Sequence, residues 1–244
     1  MVTGAASGLG LVTSQMLAER GHSVAMLDLN GDRLDEEAGR LGEAGHDVHP
    51  FQIDLRDSAA VASTVERVAE MQGLCAVANV AGLGGLGTLA STDEADWDLT
   101  VDTKLKGMYL VCRAVMPHLA GVPGAAIVNV ASMSGRTKSL MATPSYSAAN
   151  GGIIGLTMTV AAQSAALGVR VNCVAPGLFK SPLTMDMYRT VVGPEKFDAI
   201  PASIPLGRFA ETAEIAEVVL FLLSDKASYI TGETINVNGG MFMV

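Results

Sequence analysis

The sequence predicts a doubly wound α/β fold, a parallel sheet covered by helices on both faces, in a single domain spanning residues 1–244. Two observations carry this. Short apolar runs alternate along the whole chain with stretches of helical periodicity, the mark of βαβ units. Hydrophobic residues make up 49% and charged residues 17% of the 244, a balance that suits strands buried on two faces rather than one. A domain of this length buries a large core without needing a second unit.

Taken in order, the candidate strands are Ser23-Val-Ala-Met-Leu-Asp28, Asp47 to Asp54, Ala76 to Ala81, Ala125 to Ala131, Arg170 to Ala175 and Thr234 to Val237. Helical spacing follows in Leu11, Val12, Met16 and Leu17, in Val61, Val65 and Val68, and in Ile215, Val218, Val219 and Leu222. Ser58 and Thr212 stand where N-caps belong. At the start only Met1 and Val2 precede a glycine-rich turn, where a strand of about five residues is usual, so the first strand is expected to be truncated. Residues 179–208 hold Pro182, Pro194, Pro201 and Pro205, which predicts an irregular segment without long helices, a substrate lid or an inert surface excursion.

Several functions are disfavoured at once. A formal charge of −9 with no Lys/Arg block argues against nucleic acid and anionic membrane surfaces. No run approaches the roughly 18 apolar residues of a membrane span, and no signal-type segment opens the chain, so a cytoplasmic location is expected. Cys75, Cys112 and Cys173 show neither disulfide nor zinc spacing, and His22, His46, His49 and His118 form no ligand cluster, so no metal is expected.

Thr3-Gly-Ala-Ala-Ser-Gly-Leu-Gly10 places Gly4, Gly8 and Gly10, with Ser7 and Leu9 between them, directly before a helical stretch. Glycine permits the tight turn and lets backbone N–H groups approach a pyrophosphate at the positive end of the helix. Asp28 ends the next strand about twenty residues on, where a carboxylate can bond both hydroxyls of an adenosine ribose. The same charge repels a 2′-phosphate, and the nearest arginine is Arg33; the predicted cofactor is NAD rather than NADP.

From this turn to its C-terminus the chain resembles the short-chain dehydrogenase/reductase family. Asp54-Leu55 resembles the family's adenine-contacting pair, and Asn79-Val-Ala-Gly82 its NNAG strand end, including Ala81. Ile127-Val-Asn-Val-Ala-Ser132 resembles the strand that delivers the catalytic serine. Pro176, Gly177, Phe179 and Ser181 resemble the segment that holds nicotinamide, and Tyr229-Ile-Thr-Gly232 with Asn238-Gly-Gly240 the closing strand. The resemblance implies a Rossmann-type sheet and hydride transfer between nicotinamide and a carbonyl or secondary alcohol. Tyr146 would then be the acid/base and Ser132 the hydrogen-bond donor to the reacting oxygen, in preference to Ser134 or Ser145.

Two positions depart from the family. Tyr146-Ser-Ala-Ala-Asn150 ends in asparagine where the family has lysine, and Lys104 stands where the family has its active-site asparagine. A tyrosine with pKa near 10 needs a nearby cation to act as a base near neutrality. The resemblance implies that positions 104 and 150 are close in space, so Lys104 can restore the charge from the opposite wall; alternatively it points to solvent or to Asp102. Two functional classes follow: an NAD-dependent oxidoreductase acting on a small to medium, fairly apolar alcohol or carbonyl compound, or a catalytically weakened dinucleotide-binding or assembly protein of the same fold. Met133, Leu140, Met141, Phe179, Leu183, Met185, Met187 and Tyr188 are candidates for an apolar substrate wall. The family's habit and the apolar tail Gly239-Gly-Met-Phe-Met-Val244 imply a homo-oligomer, a dimer or tetramer.

Overall fold

Strand residues alternate between two hydrophobic faces, and this alternation builds the molecule. In the computed structural model, which describes the backbone of residues 1–244 and all side chains but those of Gln72, Pro182, Leu183, Thr184 and Met187, the strands in chain order are β1 (Val2–Thr3), β2 (Val24–Asp28), β3 (Val48–Gln52), β4 (Ala76–Asn79), β5 (Ala126–Val130), β6 (Arg170–Pro176), β7 (Phe179–Lys180), β8 (Ala210–Glu211) and β9 (Thr234–Val237). Seven of them form one parallel sheet in the order β3-β2-β1-β4-β5-β6-β9. Leu27, Val77, Ile127 and Cys173 face one side, while Met26, Ala78, Val128 and Val174 face the other. Burial on both faces explains why these strands read as continuous apolar runs.

The helices are α1 (Gly8–Glu19), α2 (Gly31–Glu43), α3 (Ser58–Gln72), α4 (Glu94–Val101), α5 (Gly107–Leu119), α6 (Pro144–Ser164), α7 (Pro182–Val192), α8 (Pro194–Ala199) and α9 (Thr212–Leu223). The first face is covered by α3, α5 and α6 through Val65, Val111 and Ile153; the second by α1, α2 and α9 through Leu9, Leu34, Ile215 and Val219. The fold is therefore the doubly wound sheet expected. The strand order reverses between β1 and β4, which opens a crevice at their carboxyl ends.

β1 has two residues, paired in register with β2 and β4. Met1 continues its line: its nitrogen donates to the Ala76 carbonyl at 3.0 Å, and its carbonyl accepts from Ala78 N at 2.9 Å. A cavity of about 510 Å³ lies at the amino end of the sheet, lined among others by Met1, Val24, Leu74 and Ala76. It is at the opposite end from the motif residues.

Three local expectations are corrected. Residues 179–208 are largely helical, because Pro182 and Pro194 begin α7 and α8 instead of breaking them; proline fits a helix's first turn, where its missing N–H would be unbonded anyway. Ser58 is not the cap of α3: Asp57 is, accepting from Ala59 N and Ala60 N at 2.9 and 3.1 Å. Thr212 likewise lies inside α9, whose cap is Glu211, with Glu214 reaching back to the Glu211 N–H at 2.8 Å. In both cases a carboxylate one residue earlier takes the role given to a hydroxyl.

Candidate functional site

At the mouth of the crevice the chain turns from β1 into α1 through two glycines that admit no side chain. A Cβ at Gly10 would stand 2.0 Å from the Gly4 carbonyl oxygen, and Gly4 itself has φ +71 with Ala81 Cα 2.8 Å from where its Cβ would be. Ser7 precedes α1 without a side-chain capping bond. The N–H groups of Gly8, Leu9 and Gly10 precede the first intrahelical bond, Leu11 N to the Ser7 carbonyl at 3.1 Å, and such free first-turn donors suit an anion. Thr3, which the sequence reading missed, joins this turn to β4 by accepting from Val80 N and Ala81 N, both at 3.1 Å. Asp28 closes the other side, accepting from Ala6 N at 3.0 Å and Asn30 N at 2.9 Å.

The other cofactor candidates separate into two groups. Asp54 is gripped by Arg56 at 2.6 Å, which holds its carboxyl below the usual range, and Leu55 packs into the core. Neither side chain is presented freely toward the crevice. Ser181, by contrast, is buried with its Cβ 3.9 Å from a Cβ built on Gly8, so β7 returns to the phosphate turn. Pro176 ends β6; Gly177 donates to the Val237 carbonyl at 2.9 Å, and Phe179 packs on the second core face. Asn79 turns inward: its amide donates to Asn129 Oδ1 at 2.9 Å, and Asn129 donates to Thr157 Oγ1 at 3.0 Å. This buried ladder under the crevice was signalled only by asparagine inside an apolar strand.

Tyr146 and Ser132 meet because two elements press together. The short 3₁₀ turn Met133–Gly135 lies so close to α6 that a Cβ at Gly135 would stand 2.5 Å from the Asn150 carbonyl carbon. Thr143 caps α6, accepting from Tyr146 N at 3.3 Å, with Pro144 in the first turn; a Thr-Pro pair before the tyrosine is the signal that marks this start. Burial raises the Tyr146 phenol, and hydrogen bonding by the Ser132 and Asn150 side chains opposes the rise. Of the rival serines, Ser145 Oγ pairs with Thr143 Oγ1 at 3.1 Å, while Ser134 contributes its backbone N–H, which donates to Ser132 Oγ at 3.2 Å.

Lys104 and Asn150 both border Tyr146. α4 and α5 join through the π-helical turn Asp102–Lys106, whose extra residue rotates Lys104 inward. Lys104 is 4% exposed. Its Nζ lies 5.5 Å from the Tyr146 ring centre and 3.5 Å from the Val130 carbonyl, and a Cβ at Gly82 would approach it to 2.9 Å. Its burial excludes the solvent-facing alternative, and Asp102 pairs instead with Lys106 at 3.3 Å. Burial lowers the Lys104 ammonium to about 8. Asn150 is 0% exposed; its Nδ2 donates to the Tyr146 carbonyl at 2.7 Å, and its Oδ1 has no partner.

The apolar wall is only partly assembled. Met185 lines a pocket of about 450 Å³ with Lys180, Ser181, Phe197 and Phe209, the last two stacked with centres 5.5 Å apart and both absent from the sequence reading. Tyr188 is pushed up to about 12, first by burial and then by Tyr146 nearby. Leu140 is 91% exposed and does not belong to the core; Met133 and Met141 are half-buried, and the Leu183 and Met187 side chains lie outside the described residues. Among the described residues no His, Cys, Asp and Glu cluster could hold a metal, and no helix is long and apolar enough to cross a membrane.

Residues 4–242 match the family described as enoyl-(acyl carrier protein) reductase. The chain is 35% identical over 243 residues to the 3-oxoacyl-[acyl-carrier-protein] reductase FabG of Thermotoga maritima, covering 99% of this chain and 96% of that protein. It is also 35% identical over 254 residues to the (3R)-3-hydroxyacyl-CoA dehydrogenase of Rattus norvegicus, covering 100% and 95%. A crystal structure of a Brucella melitensis 3-oxoacyl-[acyl-carrier protein] reductase with bound NAD superposes with a TM-score of 0.89 at 29% identity, over 99% of this chain and 90% of that one. With the parallel sheet, the glycine turn and the serine–tyrosine pair in place, the chain belongs to the short-chain dehydrogenase/reductase family of oxidoreductases.

Proposed function

We propose that this protein is an NAD-dependent oxidoreductase that interconverts a carbonyl and a secondary alcohol on a small to medium, fairly apolar substrate. The observation that carries the reading is the packing of the turn after Ser132 against α6, which holds Tyr146, in a sheet that also carries a phosphate-type glycine turn. The named activities of the relatives, a 3-oxoacyl reductase and a 3-hydroxyacyl dehydrogenase, support carbonyl and alcohol chemistry. The NAD-bound neighbour supports the cofactor.

The residues fit a dinucleotide. The cradle at Gly4, Ser7, Gly8, Leu9 and Gly10 takes the pyrophosphate, and Asp28 takes the adenosine ribose. Asp54 and Leu55 border the adenine through the chain they anchor, with Asn79, Ala81 and Gly82 along the floor. The orphaned Asn150 Oδ1 is an acceptor for a ribose hydroxyl, since a buried oxygen without a donor is costly unless a ligand supplies one. Pro176, Gly177, Phe179 and Ser181 flank the nicotinamide. When bound, the dinucleotide supplies or takes the hydride. Ser132 holds the reacting oxygen, and Tyr146 gives the proton in reduction or receives it in oxidation.

Burial keeps the Tyr146 phenol protonated near neutrality, the form that reduction consumes, and disfavours the phenolate that oxidation needs. The second reading, a nucleotide-binding protein of little catalytic power, rests on the uncharged Asn150. Calorimetry with NADH and NADPH, then turnover across ketone and alcohol classes, separates the two. Tight NADH binding with carbonyl reduction supports the oxidoreductase; binding with no turnover supports the alternative.

Assembly as a homodimer or homotetramer is supported by exposed apolar side chains at Trp97, Tyr109 and Met158 and at Phe221, Tyr229 and Met243. Sedimentation at micromolar concentration tests it. Burial raises the Cys112 thiol to about 12 and the Cys173 thiol to about 11; both are inert thiols, and with Cys75 also free they suit the cytoplasm.

A further inference from the structure

We infer that the buried ammonium of Lys104 is the fixed positive charge of the reaction pocket and poises it for carbonyl reduction, favouring reduced over oxidised dinucleotide. The inference rests on the nucleotide reading above and adds a direction to it. Its basis is placement. Lys104 Nζ sits among the Gly82 backbone beyond β4, the Val130 carbonyl at the end of β5 and the Tyr146 ring on α6. It is therefore at the carboxyl end of the sheet, beside the acid/base residue.

The groups that face it are few. Tyr146 approaches from α6 and Cys173 from β6; Tyr188 of α7 senses Tyr146 in turn. On its own turn Asp102 and Lys106 satisfy each other, and the nearby Asp54 is held by Arg56. Among the described residues no carboxylate pairs with Lys104. An unpaired buried cation acts on whatever charge enters or arises in the pocket.

Two charges do so. In reduction the carbonyl carbon gains a hydride from the reduced nicotinamide and its oxygen gains the Tyr146 proton. The carbonyl is reduced, the dinucleotide is oxidised, and Tyr146 is left as a phenolate that regains its proton from solvent. Lys104 Nζ, 5.5 Å from the Tyr146 ring centre, faces that phenolate as a cation over the ring. It also repels the positive ring of the oxidised dinucleotide, while the neutral reduced ring is unaffected. At an effective dielectric of about 20, a repulsion between unit charges several ångströms apart alters affinity on the order of tenfold or more.

Linkage makes this measurable without turnover. The dissociation constants of NADH and NAD are measured by fluorescence or calorimetry from pH 6.5 to 9.5 for the wild type, Lys104→Met and Lys104→Gln. In the wild type the preference for NADH should be strong at pH 6.5 and decline about tenfold as Lys104 loses its proton near pH 8. In both variants it should be weak and flat. A flat ratio in the wild type, or the same slope in the variants, overturns the inference while leaving the nucleotide reading intact. Failure of both nucleotides to bind the wild type overturns the reading and the inference together.

Discussion

Replacing Lys104 with methionine should make the protein more stable at neutral pH, and the size of the gain follows from the burial of the ammonium. Its folded pKa is depressed from 10.5 to about 8, with desolvation as the largest cause. Below pH 8 the lysine is protonated in both states, so folding bears the full penalty of burying the charge. Between about 8 and 10.5 the unfolded chain holds the proton and the folded chain does not, so stability rises with pH through that window. Above it the penalty is gone. At 1.36 kcal/mol per unit the net penalty is about 3 kcal/mol, after the opposing influence of Cys173, with the Val130 carbonyl and the Tyr146 ring beside the ammonium. Lys104→Met fills similar space without the charge. It should raise stability by about 3 kcal/mol at pH 7, roughly 6–12 °C in melting temperature for a domain of this size. Urea unfolding at pH 7, 8, 9.5 and 10.5 reads the difference, which should shrink toward zero at the upper end. Equal stability at pH 7, or a less stable variant, refutes the reasoning, because the ammonium would then be compensated in the fold. A charge held against stability is the pattern expected of a functional residue.

Other substitutions bear on the remaining parts of the site. Tyr146→Phe should lower turnover by on the order of 10³-fold with NADH affinity within about threefold of wild type, since general acid catalysis is lost and the cradle is not; steady-state kinetics with calorimetry checks both. Asp28→Ala should weaken NADH binding about tenfold and narrow the preference over NADPH, read by paired titrations. Gly10→Ala forces a methyl to 2.0 Å from the Gly4 carbonyl and should cost at least about 2 kcal/mol while abolishing nucleotide binding; thermal melts with and without NADH show whether ligand stabilisation disappears.

The sheet was legible because its strands are buried on both faces: Val24–Asp28 and Ala126–Val130 differ from the expected runs by a residue at each limit, or less. Caps were less legible. Asp57 and Glu211 outcompete the neighbouring hydroxyls, a choice that depends on where the helix axis begins and is invisible to a pattern of residue types. The prolines of residues 179–208 were read as breakers because their place relative to the helix start cannot be seen in sequence. At the site, residue identities were legible and directions were not. The family resemblance implied that positions 104 and 150 are close, but only the π-helical turn Asp102–Lys106 shows Lys104 buried beside Tyr146 and Lys106 turned to Asp102. The Phe197–Phe209 stack joins residues twelve apart through two helical segments, a contact no local pattern announces.

The central claim is that the positive charge serving Tyr146 stands on Lys104 and not at position 150. The most direct test is kcat/KM for NADH-dependent carbonyl reduction in the wild type, Asn150→Lys, and the exchange variant Lys104→Asn with Asn150→Lys. The account expects the exchange to gain little over the wild type, and Asn150→Lys alone to gain nothing, because it adds a second buried cation to a site that already has one. A rise of several orders of magnitude in Asn150→Lys would contradict it, showing that the wild-type pocket lacks the charge assigned to Lys104.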